Sequence, residues 1–208
     1  MIPLTLDTEA SQAAKAALRT RNIAARRALP KEEALAAAER AAEFVMHVIE
    51  PAAGKVVALY SPIQGELKVA ALAERLRAAG AKPALPKVAD PHVPMHFRLW
   101  LDEDPLDKGF GGIKEPSVDS EAVVPDVVIV PLSAFDRKGF RVGYGQGHYD
   151  RTLGALAREE RPLMIGYAFA LQEADEVPRE LHDVPLDAVV TENEIIRCTP
   201  RVGGVDGL

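Results

Sequence analysis

Apolar and polar positions alternate with a helical period along the first fifty residues, then give way after Lys55 to short unbroken apolar runs. Residues 8–29, TEASQAAKAALRTRNIAARRAL, contain neither Gly nor Pro. Ala17, Leu18, Ala25 and Leu29 recur near the helical period, which predicts an amphipathic helix with these positions inward. Pro30 followed by Lys31, Glu32 and Glu33 restarts the pattern, since proline and early acids suit a first helical turn. The second helix is expected to end before Pro51. Residues 55–60, KVVALY, read as a strand buried on both faces, of the kind found in parallel sheets, and Ser61-Pro62 closes it. Residues 66–79 predict a helix with Leu67, Ala70, Ala71, Leu72 and Leu76 apolar and Gly80 as its stop.

Further along, residues 82–85 predict a strand ending at Pro86, and 95–101 another. Residues 102–116, DEDPLDKGFGGIKEP, read as a loop by their Gly and Pro content. DVVIV at 126–130 is the clearest buried strand; a helix is expected over 149–158 and strands in 163–169 and 187–192. Strands alternating with helices predict an α/β fold, three-layer α/β/α with a mainly parallel central sheet. Without repeats or low-complexity linkers, one domain is expected over 1–208, with N-terminal helices at about 8–50, an α/β core at about 55–197 and a frayed tail at 200–208.

A chain of 208 residues is long enough for a sizeable core. With 48% hydrophobic and 27% charged residues it reads as neither a disordered tail nor a membrane protein. No apolar run approaches the ~20 residues that span a bilayer. The net charge of −6 argues against a general nucleic-acid binder. The single cysteine, Cys198, excludes an internal disulfide framework and a Cys-rich zinc site. The N-terminus, MIPLTLDTEA, lacks a basic stretch followed by an apolar one. A cytoplasmic protein is therefore expected, a monomer acting on small molecules without nucleic-acid or membrane partners.

The candidate chemistry lies in residues 130–153, VPLSAFDRKGFRVGYGQGHYDRTL. Gly143, Gly145 and Gly147 alternate between a buried strand and a helix. In open α/β sheets ligands sit beyond the carboxyl ends of the strands. A glycine turn there exposes backbone N–H groups to an anion, and the following helix N-terminus adds its positive end. Arg141 and Arg151 flank the turn, and Lys138 lies near it. These features suit a phosphate; they also suit a tight structural loop with solvated cations. No GKS or GKT follows, and the spacing is GxGxG and not GxGxxG, so this is neither a Walker A loop nor the dinucleotide fingerprint. Asp150, just past the turn, is repelled by phosphate unless a cation such as Mg2+ intervenes; alternatively it stabilises the helix dipole.

RVGYGQGHYDRTL preceded by VPLSAFD closely resembles the signature of the 5-formyltetrahydrofolate cyclo-ligase family, roughly VPxxAFDxxGxRLGxGxGYYDRxL. KAALR at 15–19 resembles the family's K-x-x-L-R helix, and YSPIQGE at 60–66 its folate-binding segment. ALPKV, FGGIKEP and LHDVPLDAVVTEN follow in family order, so the likeness covers roughly 10–197. It implies ATP held by Lys15 and Arg19, which share a helix face at i and i+4, and by Arg141, Val142, Gly143, Tyr144, Gly145, Gln146, Gly147, His148 and Tyr149. Arg141 and Tyr149 are the residues it implies as catalytic. It implies Mg2+ on Asp150 and Asp187, the pterin on Glu66, a further folate contact at Ser61, and the formyl end lined by Tyr144, Gly145, Gln146, Gly147 and His148. A carboxylate at position 66 suits the paired N–H donors of a pteridine edge. Trp100 is a stacking candidate, with a core role weighted above it.

His148 departs from the family's tyrosine, and Gln146 from its usual glycine or lysine. His47, His92, His96 and His182 have no metal-like spacing. The implied activity is the ATP-dependent cyclisation of 5-formyltetrahydrofolate to 5,10-methenyltetrahydrofolate with release of ADP and phosphate. Two alternatives stand beside it. One is a sugar-phosphate isomerase-like α/β enzyme that does not cleave ATP, and the other a non-catalytic folate- or nucleotide-binding module.

Overall fold

A computed structural model describes residues 8–101, 104–180 and 183–198. The tail expected to fray and His182 lie outside the described residues. Two helices come first, α1 (Thr8–Arg27) and α2 (Lys31–Val48), separated at Pro30. α2 starts with Glu32 and Glu33 in its first turn, where carboxylates meet the positive end of the helix dipole. It buries Ala37, Ala38, Ala41, Ala42 and Val45 as one stripe. Small side chains there bring its backbone close to the sheet, and the Tyr167 hydroxyl donates to the Ala38 carbonyl at 3.0 Å.

The inner face of α1 is polar, which corrects the inward placement of Ala17 and Ala25. Both are exposed, while Ser11, Asn22 and Arg26 are buried. Alanine spacing reports an inner face only where the neighbour is apolar. Here the neighbour is a set of loop carbonyls. Asn22 Nδ2 donates to the carbonyls of Ser133 at 3.0 Å and Gln172 at 3.2 Å. Asn22→Ala is expected to destabilise the fold by about 1–3 kcal/mol, because two buried carbonyls lose their donor. A lowered urea midpoint at unchanged m-value would report it.

The strands are β1 (Val56–Ala58), β2 (Lys82–Lys87), β3 (His96–Leu99), β4 (Leu106–Lys108), β5 (Lys114–Pro116), β6 (Ala122–Val123), β7 (Val127–Val130), β8 (Ala134–Phe135), β9 (Arg141–Val142), β10 (Leu163–Tyr167), β11 (Ala188–Val190) and β12 (Ile195–Arg197). Eight of them form one sheet in the order β12-β11-β10-β7-β1-β2-β3-β6. The run from β11 through β2 is parallel; β12, β3 and β6 join antiparallel. Helix α3 (Ala70–Ala78) and α2 cover one face, where Val57, Ile129, Ile165 and Val190 point. The alternate positions Ala58, Val128, Met164 and Val189 face Leu153 of helix α4 (His148–Leu156). The expected α/β fold with helices on both faces of a mainly parallel sheet is present.

Three local differences have physical causes. α3 begins at Ala70 and not at Glu66, because residues 61–69 form a turn in which Gln64 and Gly65 take φ of 49° and 79°. The stretch read as a loop at 102–116 contains the antiparallel pair β4–β5, closed by Gly111 and Gly112 at positive φ. β12, only 3 residues long, was not anticipated, since so short a strand carries almost no periodic signal.

Candidate functional site

The carboxyl ends of β1, β2 and β7, the inner face of α1, the β4–β5 hairpin and the glycine turn enclose a cavity of about 940 Å³. α1 contributes Lys15 and Arg19 to its wall, as their i, i+4 spacing requires. Lys15 Nζ lies 3.2 Å from Glu180 and 3.0 Å from Asp183. Arg19 Nε donates to the Gly143 carbonyl at 2.7 Å, laying the guanidinium along the turn.

β8 and β9 form a hairpin that delivers the turn to the cavity. Its geometry is set by Asp136, a buried carboxylate accepting from the N–H groups of Lys138, Phe140 and Val177 at 2.9, 3.1 and 3.1 Å. Gly145 and Gly147 have φ of 88° and 67°, conformations that side chains with a Cβ rarely adopt. Gly147 immediately precedes α4, so that helix's positive end faces the cavity. Arg151 ties the turn down by donating to the Gln146 carbonyl at 2.8 Å and the Pro91 carbonyl at 2.6 Å.

Arg141 is buried at the cavity wall. It donates to the Val184 carbonyl at 2.7 Å and pairs with Asp150. Burial pushes its pKa below the usual arginine range, and the charges of Asp150 and Asp183 push it back up. Tyr149 lines the cavity with a buried hydroxyl that finds no hydrogen-bond partner among the described residues. Burial and the nearby Glu66 hold that phenol protonated, well above its ordinary range. An unpaired buried hydroxyl costs about 1–3 kcal/mol, which an acceptor on a ligand recovers.

Glu66 is buried in the cavity wall beside Tyr144 of the glycine turn. Oε2 accepts from the Ile63 N–H at 2.8 Å and Oε1 from the Tyr144 hydroxyl. Burial raises its pKa; the hydrogen bonds from Tyr144 and Ile63 and the charges of Arg26 and Lys68 oppose that rise. Ser61 also lines the cavity, with its proton donated to the Lys114 carbonyl at 2.5 Å. The two positions that depart from the family signature touch each other: His148 Nε2 lies 3.1 Å from Gln146 Oε1. Phe110, in the hairpin read as a loop, meets the His148 ring edge-on at 5.7 Å between centroids.

Asp187 is a correction. It does not line the cavity; its carboxylate sits 2.8 Å from Arg161 and accepts from the Met164 N–H at 2.8 Å. Asp187 immediately precedes β11, at the amino end of a strand parallel to β10, whereas the cavity lies at the carboxyl ends. The structure therefore does not bring Asp187 to Asp150. Within the same HDVPLD stretch, Asp183 is the aspartate that reaches the cavity. Among the described residues no cluster of three or more His, Cys, Asp or Glu side chains is arranged to hold a metal. Asp150 by itself fits a Mg2+ whose remaining ligands are phosphate oxygens and water, the usual environment of that ion beside nucleotides.

Trp100 lies outside this cavity; Arg77 stacks on it at 4.6 Å from the ring centroid. Cys198 also lies outside it, with its thiol pushed up to about 11 by burial. Glu180, Asp183, Phe110 and Glu115 line the cavity and were not anticipated; nor was Arg26, buried behind the lining residue Tyr144. Arg26 was findable, because positions 15, 19, 22 and 26 fall on one face of a helix.

The 5-formyltetrahydrofolate cyclo-ligase family profile matches residues 11–192. A protein from Escherichia coli named 5-formyltetrahydrofolate cyclo-ligase is 35% identical over 177 residues, covering 82% of this chain and 96% of that one. The NMR structure of Aquifex aeolicus 5,10-methenyltetrahydrofolate synthetase superposes with a TM-score of 0.76 at 31% identity, covering 92% of this chain and 97% of the other. The corresponding Mycoplasma pneumoniae structure gives a TM-score of 0.68 at 25% identity, over 86% and 98% of the two chains. No described helix is long and apolar enough to cross a membrane.

Proposed function

The chain belongs to the 5-formyltetrahydrofolate cyclo-ligase family, and from that premise we propose how its cavity divides the work. The protein is an ATP-dependent ligase that converts 5-formyltetrahydrofolate to 5,10-methenyltetrahydrofolate with release of ADP and phosphate. The observation that carries the residue assignments is a single cavity that brings together a buried carboxylate, Glu66, and a glycine turn with Lys15, Arg19 and a helix N-terminus.

The pterin docks on Glu66, whose carboxylate accepts paired N–H donors. The triphosphate lies along the glycine turn. Lys15 and Arg19 offset its charge, and the N–H groups of the turn and the first turn of α4 face its oxygens. The Tyr149 hydroxyl donates to an oxygen of the reacting groups. Arg141, held between Val184 and Asp150, supplies buried positive charge where negative charge develops. Mg2+, carried on Asp150 and phosphate oxygens, would offset further charge on the transferring phosphoryl group.

An N-formyl group is an amide and resists attack until its oxygen becomes a leaving group. The N5-formyl oxygen attacks the γ-phosphorus and ADP departs, leaving an iminium phosphate. The N10 lone pair then closes on the formyl carbon, the N10 proton is lost, and inorganic phosphate leaves. Nothing here needs a protein nucleophile; positioning and charge neutralisation do the work.

Purified protein with 5-formyltetrahydrofolate, ATP and Mg2+ is expected to generate the ultraviolet absorbance of the methenyl product with one ADP formed per turnover. Omitting any component should stop it. Product without ADP would overturn the mechanism, and folate binding without product would make the chain a binding module.

A further inference from the structure

Arg26 is buried at 2% exposure and does not line the cavity, yet it touches three of the segments that do. Its Nε donates to the Gln64 carbonyl at 3.1 Å, and Nη1 to the Leu132 carbonyl at 3.1 Å. Nη2 donates to the Tyr144 hydroxyl, which in turn donates to Glu66. The guanidinium also sits 5.6 Å from the centroid of the Tyr144 ring. One planar fork thus joins the turn after β1, the segment after β7 and the glycine turn. Gly65 fits this arrangement: a Cβ there would come within 3.2 Å of Arg27 Cγ and 3.7 Å of Arg26 Cγ.

We propose that Arg26 is a positioning residue for the folate end, aiming the Tyr144 hydroxyl at Glu66 and thereby holding the Glu66 carboxylate for the pterin; this rests on the reading of Glu66 given above. A buried guanidinium is costly unless its charge and its donors are answered. Two of its acceptors here are carbonyls of loops that need fixing. The third is a phenol oxygen that, once it accepts from Arg26, becomes a stronger donor toward Glu66. Lysine cannot reproduce the arrangement, because its ammonium is a single point and lacks the fork.

A clasp that only stabilised the fold would leave the pH behaviour of folate binding untouched. Glu66 is faced by Tyr60 at the end of β1, Tyr144 from the glycine turn, Tyr149 from α4, Arg26 from α1 and Lys68 from its own loop. Arg26 and Lys68 are the cations in that set, and both favour the ionised carboxylate. Removing Arg26 therefore raises the pH below which Glu66 protonates and folate affinity is lost.

The test measures the folate KM from pH 5 to pH 9 for wild type, Arg26→Met and Arg26→Lys, and for each together with Glu66→Gln. Arg26→Met is expected to raise the folate KM about tenfold at pH 7 and to move its acid limb to higher pH. Arg26→Lys should keep the wild-type acid limb with a raised KM, and it decides the matter if the methionine variant does not fold. Adding Arg26→Met to Glu66→Gln should leave the folate KM where Glu66→Gln alone puts it. A wild-type KM in Arg26→Lys, an acid limb in Arg26→Met that overlays wild type, or full multiplication of the two effects in the double variant would each overturn the proposal. Failure of the Glu66 reading is distinct: Glu66→Gln alone would then leave the folate KM unchanged, and this inference would fall with it.

Discussion

Asp150→Asn is expected to lower kcat by about a hundredfold or more while leaving the protein folded. Asparagine keeps the shape and an acceptor for Arg141 but loses the charge. Two consequences follow from the geometry. The carboxylate proposed to carry Mg2+ becomes a poor ligand, so the Mg2+ concentration for half-maximal activity should rise. Arg141, buried and paired with Asp150, is left with Asp183 as the other carboxylate whose charge reaches it. Because the Asp150 side chain is 36% exposed, the stability loss should be modest, about 1–2 kcal/mol after solvent screening. Alanine is the poorer test, since it removes the acceptor as well and strands the guanidinium. Steady-state rates across a Mg2+ series, with urea unfolding of the same samples, separate the two effects. A kcat near wild type at all Mg2+ concentrations would end the assignment of Asp150 to the reacting centre.

Glu66→Gln is expected to raise the folate KM by roughly 10–100-fold through loss of charge-assisted hydrogen bonds, leaving the ATP KM nearly unchanged. The same substitution carries a stability signature of predictable sign. Burial raises the Glu66 pKa in the folded state. Between the unfolded and the folded pKa the native protein holds a proton that the unfolded chain has released. Stability contributed by this group is thus fully present below the unfolded value and is lost as pH rises through the folded one. Glutamine has no such dependence. Relative to Glu66→Gln, the wild type should lose stability as pH rises from about 4 toward neutrality, starting from the usual glutamate range. Urea denaturation of both proteins at pH 4.5, 6 and 8 reads that difference directly. Wild type gaining on the variant as pH rises would contradict a buried carboxylate at this position. The pairing of weaker folate binding with equal or better stability at pH 8 would mark a charge kept in the interior for recognition.

Much of the site could be read from the residues because its chemistry is local. The glycines at 143, 145 and 147, Arg141 and Asp150 fall within a few positions of one another, and a turn at a strand's end holds them together whatever the rest of the fold does. Lys15 and Arg19 share a helix face for the same reason. Not every residue of the signature touches the cavity, however. Asp136, in the AFD that precedes the turn, spends its carboxylate on three backbone N–H groups of the hairpin and its neighbour. Asp187 marks where local reading failed. HDVPLD offers two aspartates, and which one meets the cavity depends on the end of the sheet at which each emerges.

The periodicity of apolar residues by itself determined the helices, the buried strands and the α/β class, because those patterns report which faces meet apolar neighbours. The spacing of Gly143, Gly145 and Gly147 likewise determined the glycine turn, whose backbone needs are met within a few residues. Only the tertiary structure decided which polar groups meet. The polar inner face of α1, Arg26 against Tyr144 and Glu66, Asp183 in place of Asp187, and the β4–β5 hairpin carrying Phe110 to His148 all join segments distant in sequence. Hydrophobic patterning carries no information about such pairings, since a buried polar side chain is placed by the particular donor or acceptor opposite it, and that partner comes from elsewhere in the chain.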